Sequence, residues 1–248
     1  MQKILLGVTS GIACYKILDL IPLLKQKYEV AIIMTQNATK LVPKKDFEKV
    51  LGKKVFTQTF REGYDYREYL KNPSIDHISL GQQADLFVIA PATANVIGKM
   101  ANGICDDLLT TSIMASTATK LIIPSMNTFM WENPILQENL KKLEGRGFSI
   151  LEPDEGHLLC GVSGKGRLPD VNRIGDEIDH ILKKKDQLKG KKVIVTCGAV
   201  SEKIDEVRVI TNLSSGKMGL RIAEACADRG AEVTVIYGQI SETLSGVF

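Results

Sequence analysis

The 248-residue sequence predicts an α/β fold built on a doubly wound parallel sheet. Short runs of Val, Ile and Leu recur along it, and their continuous rather than alternating hydrophobicity marks strands covered on both faces. Stretches with helical spacing lie between them, as a chain of βαβ units requires. Turn residues stand directly after several of the runs.

The first strand is Lys3–Val8, which breaks at Thr9-Ser10-Gly11 and leads into an amphipathic helical stretch from Ile12 to Lys25. Val30–Met34, Leu86–Ala90, Leu121–Ile123 and Phe148–Leu151 are four further strands, and Asn133–Glu144 has a helical pattern. Pro153–Pro169 holds Gly156, Gly161, Gly164 and Gly166, and so many turn residues predict a long loop. Ile174, Ile178, Ile181 and Leu182 then recur at helical spacing, up to a basic run that ends in Gly190 and predicts a domain boundary. Beyond it come a strand at Lys192–Thr196, turns over Asn212–Gly219, a helix from Leu220 to Arg229 and a strand at Glu232–Ile236. The predicted organisation is a first domain over 1–182, a linker over 183–190, and a partial second α/β unit over 191–248.

Composition narrows the function classes. The chain is 44% hydrophobic and 25% charged with a net charge of +3, and its basic residues cluster only at Lys183–Lys185, so nucleic acid is not indicated as a partner. No apolar run is long enough to cross a bilayer, and Met1-Gln2-Lys3 leads straight into a strand without a signal peptide's pattern, which predicts a cytoplasmic protein. Cysteines at 14, 105, 160, 197 and 226 form no CxxC pair, and with three scattered histidines they give no metal-ligand spacing. Unpaired cysteines fit a reducing compartment.

Several stretches carry possible chemistry. Thr9-Ser10-Gly11-Ile12 joins the first strand to the first helix, so outward backbone N–H groups beside a serine hydroxyl suit a phosphate; the same glycine serves equally as a plain turn. Neither a dinucleotide fingerprint nor a P-loop is present. Pro91–Asn95 places small and hydroxylated residues after a strand, where a flat ring can approach the backbone, and Asn95 also reads as a helix N-cap. Asp106 and Asp107 read as a helix start. Pro124–Trp131 puts Asn127 between Met126 and Met130 beside the only tryptophan, a setting for a planar, partly apolar ligand; alternatively Met126, Phe129, Met130 and Trp131 cap a core. His77 sits where apolar and polar residues nearly alternate, and is a surface or core histidine or else a base. Cys160 lies within the glycine-rich loop, where a closing segment can deliver a thiol, whereas Cys14 and Cys226 fall on helical faces.

Jointly, Ser10–Lys16, Pro91–Asn95, Ala101–Leu108, Pro124–Trp131 and the segment from Cys160 through Arg167 resemble the flavin-dependent phosphopantothenoylcysteine decarboxylases of coenzyme A biosynthesis. Residues 190–248 resemble the start of the phosphopantothenate–cysteine ligase fused behind many of them, through Glu202, Ile204-Asp205, Val207-Arg208 and Thr211–Gly219. Cys197-Gly198-Ala199 departs from that family's glycine-glycine-threonine turn, and the chain stops before the CTP-binding and basic catalytic segments, so no ligation is expected of it alone.

The resemblance implies a Rossmann-like flavoprotein fold, an FMN cofactor, 4′-phosphopantothenoylcysteine as substrate and 4′-phosphopantetheine as product, by way of a thioaldehyde and an enethiolate. It further implies roles for particular residues. Ser10, Gly11 and Ile12 hold the FMN phosphate, and Thr35, Thr93, Ala94, Asn95 and Ser125 line the rest of the cofactor site. Asn127 binds the substrate carboxylate with Met130 beside it, Cys160 supplies a proton, and His77 is base or charge partner. A homo-oligomer, trimeric or dodecameric, with FMN near a subunit interface is implied as well. Three related activities share the fold: decarboxylation of lantibiotic precursor peptides, non-catalytic flavin binding by a phosphatase regulator, and prenyl-FMN synthesis. The ligase-like tail argues against the first, Cys160 together with Asn127 against the second, and Cys160 against the third.

Overall fold

The computed structural model describes residues 1–59, 76–157, 161 and 163–241, and divides into two compact units, Met1–Glu177 and Ile178–Phe248. In the first, β1 (Lys3–Val8), β2 (Glu29–Met34), β3 (Leu86–Ala92), β4 (Thr119–Pro124) and β5 (Phe148–Ile150) form one parallel sheet in the order β2-β1-β3-β4-β5. Every predicted strand is present, with ends shifted by up to two residues. The strand order reverses between β1 and β3, and a crevice opens at the carboxyl ends of strands where that happens.

Both faces of the sheet are covered. Leu5, Phe87, Ile89 and Ile122 share one buried cluster with Val96 and Ile97 of the helix Ala94–Asn102, Leu109 and Ile113 of Leu108–Ala115, and Leu136 and Leu140 of Pro134–Glu144. The intervening Ile4, Leu6, Val8 and Val88 are also buried, outside that cluster. The helix Ile17–Lys25 turns Ile17, Leu20, Ile21 and Leu24 inward at the spacing of an apolar stripe. Each such side chain contributes roughly 1.5–3 kcal/mol on burial.

Short polar residues start the helices that pack on the sheet. Asn133 caps Pro134–Glu144 through a 2.9 Å bond from the Ile135 N–H to its Oδ1, and Pro134 occupies the first helical position. Asp107 and Thr110 exchange bonds as a capping box at Leu108–Ala115, while Asp106 pairs with Lys99. The cap of Ala94–Asn102 is Thr93, not Asn95: Thr93 Oγ1 accepts from Val96 N at 3.4 Å, and Asn95 lies exposed in the first turn. The shorter threonine directly before the helix reaches the free N–H groups first.

Three further expectations are corrected. The stretch from Ile12 to Lys25 opens as a 3-10 turn, Ile12–Lys16, before the α-helix starts at Ile17. Pro153–Pro169 is not a structureless loop but contains an antiparallel pair, β6 (Asp154–His157) with β7 (Ser163–Arg167), whose glycines serve close approach rather than turning. The near-alternation around His77 gives way to a helix, Asp76–Gln83.

The helix Val171–Asp186 includes residues 183–186. Within the second unit, β8 (Lys192–Cys197) and β11 (Glu232–Tyr237) pair in parallel, and between them the chain forms the hairpin β9 (Ser201–Lys203) and β10 (Val209–Thr211) and the helix Lys217–Ala227. That is one βαβ unit with an added hairpin. The helix packs so closely on β8 that a Cβ at Gly219 would lie 2.3 Å from Cys197 Cβ.

A fully enclosed threonine joins β1 to β3 where the strand order reverses. Thr9, 1% exposed, donates from Oγ1 to the Pro91 carbonyl at 2.6 Å and accepts from the Thr93 N–H at 3.2 Å. Thr9→Val keeps the shape and strands two buried backbone groups, so it is expected to cost about 1–3 kcal/mol in urea unfolding. Unchanged stability would remove this joint from the account.

Candidate active site

A cavity of about 600 Å³ lies at this switch point. One wall is the turn after β1, with Ser10, Gly11 and Ile12; a second is Thr93 and Ala94 after β3; a third is Ser125, Asn127 and Met130 after β4. These are eight of the twelve residues expected to form the site. Two others do not line it, and the side chains of a further two lie outside the described residues. Thr35 caps the helix Gln36–Leu41 one strand away, and Asn95 does not line the cavity. His77 belongs to the first turn of Asp76–Gln83, and its side chain lies outside the described residues, as does Cys160.

The cavity floor is tied together by hydrogen bonds from strand to strand. Thr35 N donates to Val8 O at 3.0 Å, Thr9 bonds both Pro91 and Thr93, Ser125 N donates to Ala92 O at 3.1 Å, and Met126 N donates to Gly166 O at 3.0 Å. The last bond docks β7 on the loop carrying Asn127. Gly166 has φ +148°, and a Cβ there would lie 2.2 Å from the Met126 carbonyl oxygen. A Cβ at Gly164 would likewise lie 2.7 Å from Thr128 Oγ1. Lys165, between the two glycines, stands 5.5 Å from the Trp131 ring centroid and pairs with Glu152 at 2.5 Å.

Asn127 is both a cap and a candidate ligand group. Its Oδ1 accepts from Phe129 N at 2.8 Å and starts the short helix Thr128–Trp131. That bond uses the acceptor end of the amide, and the donor end, Nδ2, is the one suited to a carboxylate. Of the apolar residues in this loop, Trp131 alone is fully in the core; Met126 packs partly against it, while Phe129 is 72% and Met130 48% exposed. The core-cap alternative therefore fails for Phe129 and Met130.

Sequence reasoning gave no site role to Tyr15, Lys16, Gly166, Arg167 and Leu168, which also line the cavity together with Met126. The available signal was glycine at every second residue, Gly164 and Gly166, a pattern of close backbone approach in a strand. Beneath the first turn, Cys14 is buried, and burial pushes its thiol pKa up, as befits a packed residue. No group of His, Cys, Asp and Glu suited to a metal occurs among the described residues, and no helix among them is long and apolar enough to cross a membrane.

A parallel α/β sheet in this order, with a roomy cavity at its β1/β3 crevice, defines the flavodoxin-like class of doubly wound folds. Comparison is more specific. Residues 1–183 match the flavoprotein family and residues 188–247 match the DNA/pantothenate metabolism flavoprotein C-terminal domain; the chain belongs to the flavoprotein family. It is 43% identical over 244 residues to the coenzyme A biosynthesis bifunctional protein CoaBC of Bacillus subtilis, covering 97% of this chain and 58% of that one. With the protein of the same name from Borreliella burgdorferi it is 40% identical over 242 residues, covering 97% and 60%. The chain thus spans less than two thirds of these relatives. Among solved structures, the FMN-dependent cysteine decarboxylase SpaF is similar with a TM-score of 0.61 and 30% identity, covering 73% of this chain and 97% of that one. A PPC decarboxylase mutant complexed with pantothenoylaminoethenethiol gives 0.62 and 29%, covering 73% and 98%.

Gly166→Ala is expected to undock β7 from the Asn127 loop, because both the backbone angle and the Met126 carbonyl oppose a side chain. Strain of this kind costs about 1–3 kcal/mol. Faster amide exchange at Met126 with the sheet unaffected is the expected signature; an unchanged rate there would contradict the docking.

Proposed function

We propose that this chain is an FMN-dependent carboxy-lyase that converts 4′-phosphopantothenoylcysteine to 4′-phosphopantetheine in coenzyme A biosynthesis. The observation that carries this reading is the convergence of the Ser10–Ile12 turn, Thr93-Ala94 and the Ser125–Asn127 loop on one cavity at the switch point. Its volume lies in the range of small-molecule and cofactor sites, and its lining surface is mainly apolar with hydroxyl, amide and charged side chains set into it, as a flavin ring with a phosphate tail requires. Ser10, Gly11 and Ile12 hold the phosphate through hydroxyl and backbone N–H groups, and Thr93, Ala94 and Ser125 lie along the ring, with Thr35 and Asn95 farther out. FMN, when bound, supplies reversible two-electron chemistry at the cysteinyl end of the substrate.

The chain's own groups do the rest. Asn127 donates from Nδ2 to the carboxylate that leaves as carbon dioxide, without adding a positive charge that would anchor it. Met130 packs against the apolar part of the substrate. Cys160 protonates the enethiolate carbon, and His77 serves as base or charge partner. The β6–β7 pair excludes water from the reacting end. We assign these roles to a domain over 1–182, followed by a linker over 183–190 and a ligase-like unit over 191–248. The match of 188–247 to the pantothenate-metabolism C-terminal domain favours this substrate over a peptide.

A homo-oligomer with FMN near a subunit interface fits the same reading. Ile12, Tyr15, Phe129 and Met130 are all large apolar side chains about half or more exposed, and such surface marks interaction sites. The compartment we propose is the cytoplasm.

The purified protein should be yellow and release FMN on denaturation; a colourless preparation that takes up no FMN would overturn the proposal. Asn127→Asp keeps a capping oxygen for Phe129 N but replaces the donor with a charge facing the substrate carboxylate. We expect native stability, retained FMN, and turnover at least about a hundredfold lower, corresponding to the loss of one site donor. Wild-type turnover would reduce Asn127 to a cap.

A further inference from the structure

The cavity carries two cations that the proposed chemistry leaves unused. Lys16 ends the 3-10 turn that follows β1, and Arg167 ends β7; both line the cavity, and no carboxylate does. Neighbouring cations are already neutralised, Lys165 by Glu152 and Arg173 by Asp154. Neither Lys16 nor Arg167 has an ion pair or a side-chain hydrogen bond among the described residues.

Two further observations bring the pair to one place. The Arg167 side chain lies against Gly156 of the adjacent strand, where a Cβ would stand 3.4 Å from both its Cδ and its Nη1. The missing side chain thus leaves the arginine its path. Asp170 sits near both cations: its carboxyl is held below the usual range chiefly by hydrogen bonds from Asn172, and in addition by the charges of Lys16 and Arg167. Asp170 does not neutralise them inside the cavity, because it is exposed, does not line it, and uses Oδ1 on Asn172.

We infer that Lys16 and Arg167 form a seat for a phosphate monoester. A phosphate dianion matches two positive charges, the guanidinium fork takes two of its oxygens, and the ammonium supplies a third donor. Two monoesters enter this cavity if the proposed function, on which the assignment rests, is right: the 4′-phosphate of the substrate and the 5′-phosphate of the flavin. The seat predicts a preference for the phosphorylated form of whichever one it holds.

The test uses the full chain with Arg167→Ala, Arg167→Gln and Lys16→Ala. One arm measures kcat/KM for phosphopantothenoylcysteine and for pantothenoylcysteine; the other titrates the apoprotein with FMN and with riboflavin by flavin fluorescence. A lost charged hydrogen bond is expected to lower the phosphorylated-to-unphosphorylated ratio about ten- to hundredfold in one arm. A fall in the first arm assigns the seat to the substrate, a fall in the second to the flavin. Both ratios unchanged in all three variants overturns the seat while leaving the proposed function standing. If the wild type turns over neither substrate, the proposed function falls, and the FMN-to-riboflavin ratio alone decides: a fall supports the seat and no change overturns it.

Discussion

The structure of the first unit depends on how the carboxyl ends of neighbouring strands are fastened where the strand order reverses. A parallel sheet normally lets its loops diverge there, which is why a crevice forms. Here Thr9 uses its single hydroxyl on two backbone groups at the end of β3, and Ser125 and Met126 continue the connection to Ala92 and Gly166. The crevice therefore has a rigid floor, although each of its walls comes from a distant part of the chain. Preorganisation of this kind costs stability in the fold and spares it at the moment of binding.

The same connections explain why the Asn127 loop can be exposed and still ordered. Its backbone is held on one side by β3 and on the other by β7, and the amide is fixed by its own cap on Phe129. Only glycine at 166 permits that approach, so the hairpin and the loop specify each other. Met130 and Phe129 are then left facing outward, available to ligand or partner instead of filling the core.

Much of this was legible in the sequence, for definite reasons. Four of the five strands of the first sheet carry continuous apolar runs because both faces are buried, while the edge strand β5, with Ser149 at its centre, is half-buried. Ser10, Gly11, Thr93, Ala94 and Ser125 follow such runs, where ligands sit in a doubly wound sheet, and the family resemblance supplied their roles. Asn127 stood out because a single amide lies among thioethers and a tryptophan. The β6–β7 pair was misread because Gly156, Gly164 and Gly166 look like turns when their real cause is the proximity of Thr128, Met126 and Arg167, a tertiary fact without a local trace. Thr93 displaced Asn95 as cap for a reason of one or two residues, the least reliable kind of distinction in a sequence. Lys16 and Arg167 carry no periodicity, and only folding brings them to the same cavity.

The central claim is that this cavity decarboxylates a pantothenate-derived cysteine, and substrate competition tests it most directly. The FMN-loaded protein is incubated with equal amounts of phosphopantothenoylcysteine and a cysteine-ended peptide, and the products are followed by mass. The account predicts loss of carbon dioxide from the former to give phosphopantetheine, with the peptide left intact. Conversion of the peptide alone, or of neither compound, would contradict it.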